Sequence, residues 1–244
     1  MNWNLAAIVT ICLCLGFLGC SRKPVTTAAP SPTAYGFAIV ESSGDKQIGY
    51  VGSTLPQPVV VQVNDDKGNA VPGAAVKFIG PEGVAFDPAS GISDSSGQFT
   101  ANVSVGGMAG RYQLTASTRT REGKNVELKL DEVALGYQER MGQQLDEKYC
   151  SRCHNPESTP ERVSNYDNLE IKPHSFSEGD TLNKMSDSDL LAIISHGGPA
   201  LNKSPLMPPY GYTLSKSDIQ ALVAYIRMIS DPPYHTSGIV YAQK

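Results

Sequence analysis

The chain has 244 residues, 40% of them hydrophobic and 18% charged, with a formal net charge of −4. That length holds two domains of ordinary size, and the balance excludes both a disordered chain and a multi-span membrane protein. No basic patch stands out, which argues against a nucleic-acid partner; Arg119, Arg121 and Lys124 alternate with polar residues as on a solvated strand face.

Residues 5–18 form an apolar run without charge. About 18 or more such residues are needed to span a bilayer, so the run fits the core of a signal peptide better than a membrane span. It ends in Phe17-Leu18-Gly19-Cys20, which resembles a bacterial lipoprotein signal. The resemblance implies cleavage after Gly19, lipidation of Cys20, and an exported protein anchored to a membrane. Ser21 after that cysteine tilts the expectation towards an outer membrane. An uncleaved anchor, with Cys20 incidental, is the alternative. Cys12 and Cys14 would be discarded with a cleaved signal, leaving Cys150 and Cys153. Residues 21–34, rich in Pro, Thr, Ala and Ser, read as a flexible linker.

Over residues 35–135 short β-rich runs alternate with turn signals. Val59, Val61 and Val63 precede the turn cluster at 64–69; residues 74–79 lead into Gly80-Pro81. Phe99, Ala101, Val103 and Val105 alternate with polar neighbours, and residues 110–116 and 126–130 repeat that period of two. Several such strands within about 100 residues predict an all-β sandwich. Asp65, Gly68, Asn69, Val71-Pro72-Gly73, Ser93-Asp94 and Gly97 resemble the bacterial immunoglobulin-like domains of invasin-type adhesins. That resemblance implies an immunoglobulin-like sandwich serving as a stalk or a binding module.

From residue 136 the period changes. Tyr137, Met141, Leu145 and Tyr149 recur every four residues, as on a helix. Ser186 with Asp189, and Ser215 with Asp218, are helix-start signals. Leu190, Leu191, Ile193 and Ile194 follow the first, which stops at Gly197-Gly198; Ile219, Leu222, Val223, Ile226 and Ile229 follow the second, which stops at Asp231-Pro232-Pro233. Residues 136–232 are therefore expected to form an all-α domain, with residues 233–244 a tail.

Cys150-Ser151-Arg152-Cys153-His154 is the attachment signature of c-type haem. Two thiols separated by two residues reach both vinyl groups of one porphyrin, and the adjacent histidine coordinates the iron. A redox dithiol would need a βαβ context, and a zinc site would need further Cys or His at regular spacing; His174, His196 and His235 form no such pair.

Around this motif residues 136–230 resemble class I cytochromes c. The helix entering Cys150, the Leu206-Met207-Pro208-Pro209-Tyr210 loop and the last helix carry the likeness. It implies one covalent haem c, with His154 as proximal and Met207 as distal ligand. Met185, Met228, His174 and His196 are the rivals for the distal place, and Tyr210 and Tyr212 are candidates for the pocket edge. An iron held by His and Met has no open position, so the expected role is an electron carrier rather than an enzyme. Donor and acceptor would be redox proteins, and the membrane would be met through the lipid anchor. An open distal site, hence a haem enzyme or gas sensor, is one alternative; a surface-binding immunoglobulin-like module with an accessory cytochrome is the other. Residues 157–189 hold eight acidic and three basic side chains, a solvated face that would suit a basic partner.

Overall fold

The computed structural model describes residues 31–160 and 162–234; the apolar run, Cys12, Cys14, Cys20 and most of the tail lie outside the described residues. Nine strands come first: β1 (Ala38–Ser43), β2 (Ile48–Tyr50), β3 (Val59–Asn64), β4 (Ala75–Ile79), β5 (Ala85–Asp87), β6 (Ser90–Ile92), β7 (Gln98–Ser104), β8 (Gly110–Arg119) and β9 (Asn125–Leu135). They form a four-stranded sheet, β1-β3-β7-β5, and a five-stranded sheet, β2-β9-β8-β4-β6. Every pair is antiparallel except β2 with β9.

The alternation read in the sequence faces the two sheets towards each other. Val59, Val61 and Val63 of β3, Phe99, Ala101 and Val103 of β7, and Leu114 and Ala116 of β8 are buried in one cluster. This is the core of a β-sandwich, in which inward residues of both sheets interdigitate. At the Asp65–Asn69 turn the Asp65 carboxylate accepts from the amides of Lys67 and Asn69 at 2.9 and 2.8 Å, and Gly68 supplies the left-handed conformation (φ 83°). The sheets also reach further back than the alternating runs indicate. Thr33 and Ala34 donate to the Gly73 carbonyl at 2.9 and 3.2 Å, so the end of the Pro/Thr/Ala-rich segment is docked on the sandwich.

Strand β9 breaks its alternation at the end. From Glu132 to Leu135 four consecutive residues are buried. Leu130 and Ala134 belong to the sandwich core, whereas Val133 and Leu135 pack with Tyr225 of the helical part. A strand covered on both faces reads as a continuous apolar run, and Val133-Ala134-Leu135 is that signal.

Only Gly136 separates β9 from α1 (Tyr137–Leu145). A wider turn at Asp146–Cys150, with a π-type hydrogen-bond pattern, leads into α2 (Ser151–His154). Then come α3 (Gly179–Leu182), α4 (Asp187–His196) and α5 (Lys216–Ile229). The start signals form reciprocal caps. Ser186 Oγ accepts from the Asp189 amide at 3.1 Å and Ser215 Oγ from that of Asp218 at 3.2 Å, while each aspartate accepts from the serine's amide. Gly197, at φ 82°, ends α4.

Helices α1 and α5 cross at Gly142. A Cβ there would overlap the Ala221 carbonyl oxygen and lie 2.6 Å from Tyr225 Cβ, so only glycine admits this approach. The face expected from Tyr137, Met141, Leu145 and Tyr149 is adjusted accordingly. Tyr137 is 82% exposed, and Gly142 is the buried residue of α1. A period-of-four reading weighs side-chain hydrophobicity, and glycine contributes none. Among the described residues no helix is long and apolar enough to cross a membrane.

Candidate functional site

The Cys150–His154 motif sits where the chain leaves the wider turn. Widening just before the first cysteine shifts the register by one residue, a feature often found at functional sites. Ser151 is buried and its hydroxyl donates to the Glu147 carbonyl at 3.1 Å, fixing the turn from within. Arg162 folds the following loop back: its guanidinium donates to the carbonyls of Ser151 at 3.1 Å and Glu157 at 2.6 Å.

Cys150 and Cys153 are half-buried free thiols. Burial, with smaller contributions from Asp146 and Cys153, pushes the Cys150 thiol up to about 12. An activated redox thiol needs the opposite shift, towards the thiolate. Asp146, raised to about 7 by burial and then by Glu147, adds no positive charge that would help ionise it. A zinc site fares no better, since no group of three or more His, Cys, Asp or Glu converges among the described residues.

The His154 ring is oriented by two contacts. Its Nδ1 lies 2.7 Å from the His174 carbonyl oxygen, which only accepts, so Nδ1 carries the proton. Burial holds its pKa below the ordinary value, so the ring is neutral near pH 7 and Nε2 keeps its lone pair. Phe176 packs against it with ring centroids 4.7 Å apart. A histidine fixed in this tautomer by a backbone carbonyl is prepared to ligate a metal through Nε2.

Met207 is half-buried beside the same apolar cluster as Cys150. Leu145, Tyr149, Phe176 and Tyr210 pack there too, over a core of Leu190, Ile194, Leu222 and Ile226. The Met207 loop is tied down at both ends. Gly198 N–H donates to the Met207 carbonyl at 3.0 Å, and Tyr210 N–H to the Ile194 carbonyl at 3.0 Å. The Tyr210 hydroxyl donates to the Tyr149 carbonyl at 2.9 Å, joining this loop to the residue before Cys150. Thus Cys150 and Met207 share one cluster, which His154 meets through Phe176. Cys153 makes no side-chain contact of its own in this set, and Cys20 lies outside the described residues.

The rivals of Met207 are placed differently. His174 pairs through Nδ1 with Glu178 at 3.0 Å and serves His154 through its backbone. His196 is exposed at the end of α4. Met185 packs on the helical core and Met228 on the junction with the sandwich. Tyr212 is 99% exposed and lines nothing. Phe176 was not singled out in the sequence; a lone aromatic in a polar stretch is a weak signal. Two clefts among the described residues, one between sandwich and helices and one on the sandwich edge, are lined by other residues than the motif.

The residues present fit a covalently attached haem. Two thiols lie one helical turn apart, a neutral histidine keeps a lone pair on Nε2, and a methionine loop is bonded to the same cluster. Residues 138–226 match the family model described as cytochrome c oxidase, cbb3-type, subunit III. A search of the curated proteins found none similar to this chain. Similar solved structures include the D00-D0 domain of intimin, 14% identical over 44% of this chain and 51% of that one, with a TM-score of 0.31. Invasin, a bacterial integrin-binding protein, is 19% identical over 40% of this chain and 19% of that one, at 0.29. The Yersinia pseudotuberculosis adhesin InvE is 14% identical over 43% and 33%, at 0.31. The chain thus spans about half the length of the intimin segment. It is a β-sandwich followed by a helical cytochrome c domain, which implies haem c and electron transfer.

Proposed function

We propose that this chain is an exported, membrane-tethered cytochrome that carries electrons between redox proteins outside the cytoplasm, using a single haem c. Residues 35–135 are its immunoglobulin-like sandwich, residues 136–232 its electron-transfer domain and, of the segment 21–34, the part before the docked Thr33 is the tether. The observation that carries the reading is the His154 ring in the Cys150–His154 turn, its Nδ1–H bonded to the His174 carbonyl, which leaves Nε2 as the nitrogen with a lone pair.

In this reading Cys150 and Cys153 would hold the haem through thioethers, and His154 and Met207 would be the side chains that ligate its iron. The group supplies a one-electron couple, and methionine ligation raises its potential relative to harder ligands. The protein does the rest. The His174 carbonyl fixes the His154 tautomer and raises the basicity of Nε2. Tyr210 holds the Met207 loop against the Cys150 turn. With His154 and Met207 both given to the iron, no position would be left for a substrate, which favours a carrier over an enzyme. Cys20 is the lipidated residue that tethers the chain, with the outer membrane the favoured site.

The intact mass of the protein purified from its native membrane tests this. The expected mass is that of a chain beginning at Cys20, with a diacylglyceryl group and one haem. A chain retaining residues 1–19 contradicts the lipid anchor. A mass without haem contradicts the cytochrome.

A further inference from the structure

The sandwich does more than precede the haem domain: its side chains hold Ser230 and Asp231, and Asp231 is bonded to the segment that carries the His174 carbonyl. Arg111, on β8, donates from Nη2 to the Ser230 carbonyl at 2.5 Å, and Ser230 is fully buried. Lys46 pairs with Asp231 at 2.5 Å. The next links lie within the helical unit. Asp231 N–H donates to the Ser177 carbonyl at 2.8 Å, and Gly179 N–H donates to the Asp231 carbonyl at 3.1 Å. Three residues before Ser177 stands His174, whose carbonyl accepts the His154 Nδ1–H bond. Its ring is held by Glu178, next to Gly179.

A second path runs through packing. Phe176 lies against the His154 ring and also packs on the cluster of Val133 and Leu135 of β9 with Tyr225 of α5. Both paths start on the sandwich and end on the proximal ring. A cleft of about 540 Å³, lined by Lys46, Arg111, Ser175, Ser177 and Asp231, opens beside the segment, so these two basic side chains reach it where apolar packing does not fill the gap.

We infer that Arg111 and Lys46 are positioning residues that, through Ser230 and Asp231, hold residues 174–179 and so set the strength of the hydrogen bond to His154, letting the sandwich tune the reduction potential of the haem. The inference rests on the haem reading above. Its direction follows from the chemistry. A tight Nδ1–H···O=C bond gives the ring partial imidazolate character, which stabilises the ferric iron. Loosening that bond weakens the donor, and the potential rises.

The test is a redox titration of the full-length, haem-loaded protein with hydrogen exchange at the Asp231 and Gly179 amides. It compares the unaltered chain with Arg111→Met, which keeps the aliphatic stem, with Arg111→Lys, and with Lys46→Ala, a change at an exposed side chain that leaves folding intact. Both amides should exchange faster and the potential should rise in Arg111→Met. Lys46→Ala should give a smaller shift of the same sign, and Arg111→Lys should recover part of the change. Faster exchange with an unmoved or lowered potential overturns the inference, since the contacts would then be structural only. Should Arg111→Met not fold, an unmoved potential in Lys46→Ala overturns it as well. Absence of haem from the unaltered chain is the separate failure of the haem reading.

Discussion

In the sandwich Val59, Val61, Val63, Val103 and Leu114 have no exposed surface, and the two sheets close over them. Around the Cys150 turn Leu145, Tyr149, Cys150, Phe176, Met207 and Tyr210 are only partly buried, although each packs on a buried core. The sandwich gains its stability from apolar residues meeting one another. The helical unit assembles a similar core from α4 and α5, but its apolar flank faces the motif. A β-sandwich with a complete core is expected to fold on its own terms, whereas on the haem reading proposed above the half-covered aromatic and sulfur side chains of the helical unit gain their cover from the group they hold. The two are joined by one glycine, a shared apolar cluster and a pair of cationic side chains, so a change at the junction is felt on both sides.

The change that breaks this comparison most widely is the double substitution of Cys150 and Cys153 by Ser. Covalent haem should be lost completely and the helical signal in circular dichroism should fall, while amides of β3, β7 and β8 stay protected from exchange. A helical unit that folds normally in this variant would show that its core needs nothing further.

Glu132 gives the next largest effect. It is fully buried on β9, and burial raises its carboxyl to about 7, against the opposing bond from the Gln47 amide at 2.8 Å. With the folded value above the unfolded one, the native state binds the extra proton. Its contribution is fully present below the unfolded value of 4.5 and is lost as pH rises through about 7. From 4.5 to 7 the loss is about 3 kcal/mol. Urea unfolding at pH 5 and pH 8 should show it, and Glu132→Gln should remove most of the difference.

A steric change on the helical side is expected to cost less. Gly142→Ala gains about 1 kcal/mol of helix propensity. The overlap with Ala221 and Tyr225 outweighs that gain, since overpacking costs about 1–3 kcal/mol and here the obstacle is backbone. A net loss of up to about 2 kcal/mol should appear in the unfolding midpoint followed by helical signal.

The smallest effect concerns the acidic segment at 157–189. If it meets a basic redox partner, the bimolecular exchange rate should fall several-fold as ionic strength rises from about 0.01 to 0.5 M, the range over which screening shortens from about 30 Å to a few. A rate independent of salt assigns that face to solvent alone.

How much of this was legible depended on which residues carried the signal. The fold class was, because period two and the Ser–Asp caps are local patterns that tertiary packing reinforces. So was the motif, because its spacing is chemical. The buried end of β9 was written in Val133-Ala134-Leu135 but reads as a strand end until its second face is known to be covered. Gly142, the His174 carbonyl and Phe176 were not legible. One acts by having no side chain, one through its backbone, and one by where a long irregular segment returns. Arg111 and Lys46 carry no pattern at all, since their partners lie 119 and 185 residues away.

The most direct test of the central claim is the optical spectrum of the purified protein, ferric and ferrous, with carbon monoxide added to the ferrous form. The account predicts a c-type haem spectrum, a methionine-to-iron charge-transfer band in the ferric state that disappears in Met207→Ala, and no change with carbon monoxide in the unaltered protein. A carbon monoxide shift without that band would contradict the His154–Met207 pair and put an open, reactive site in its place.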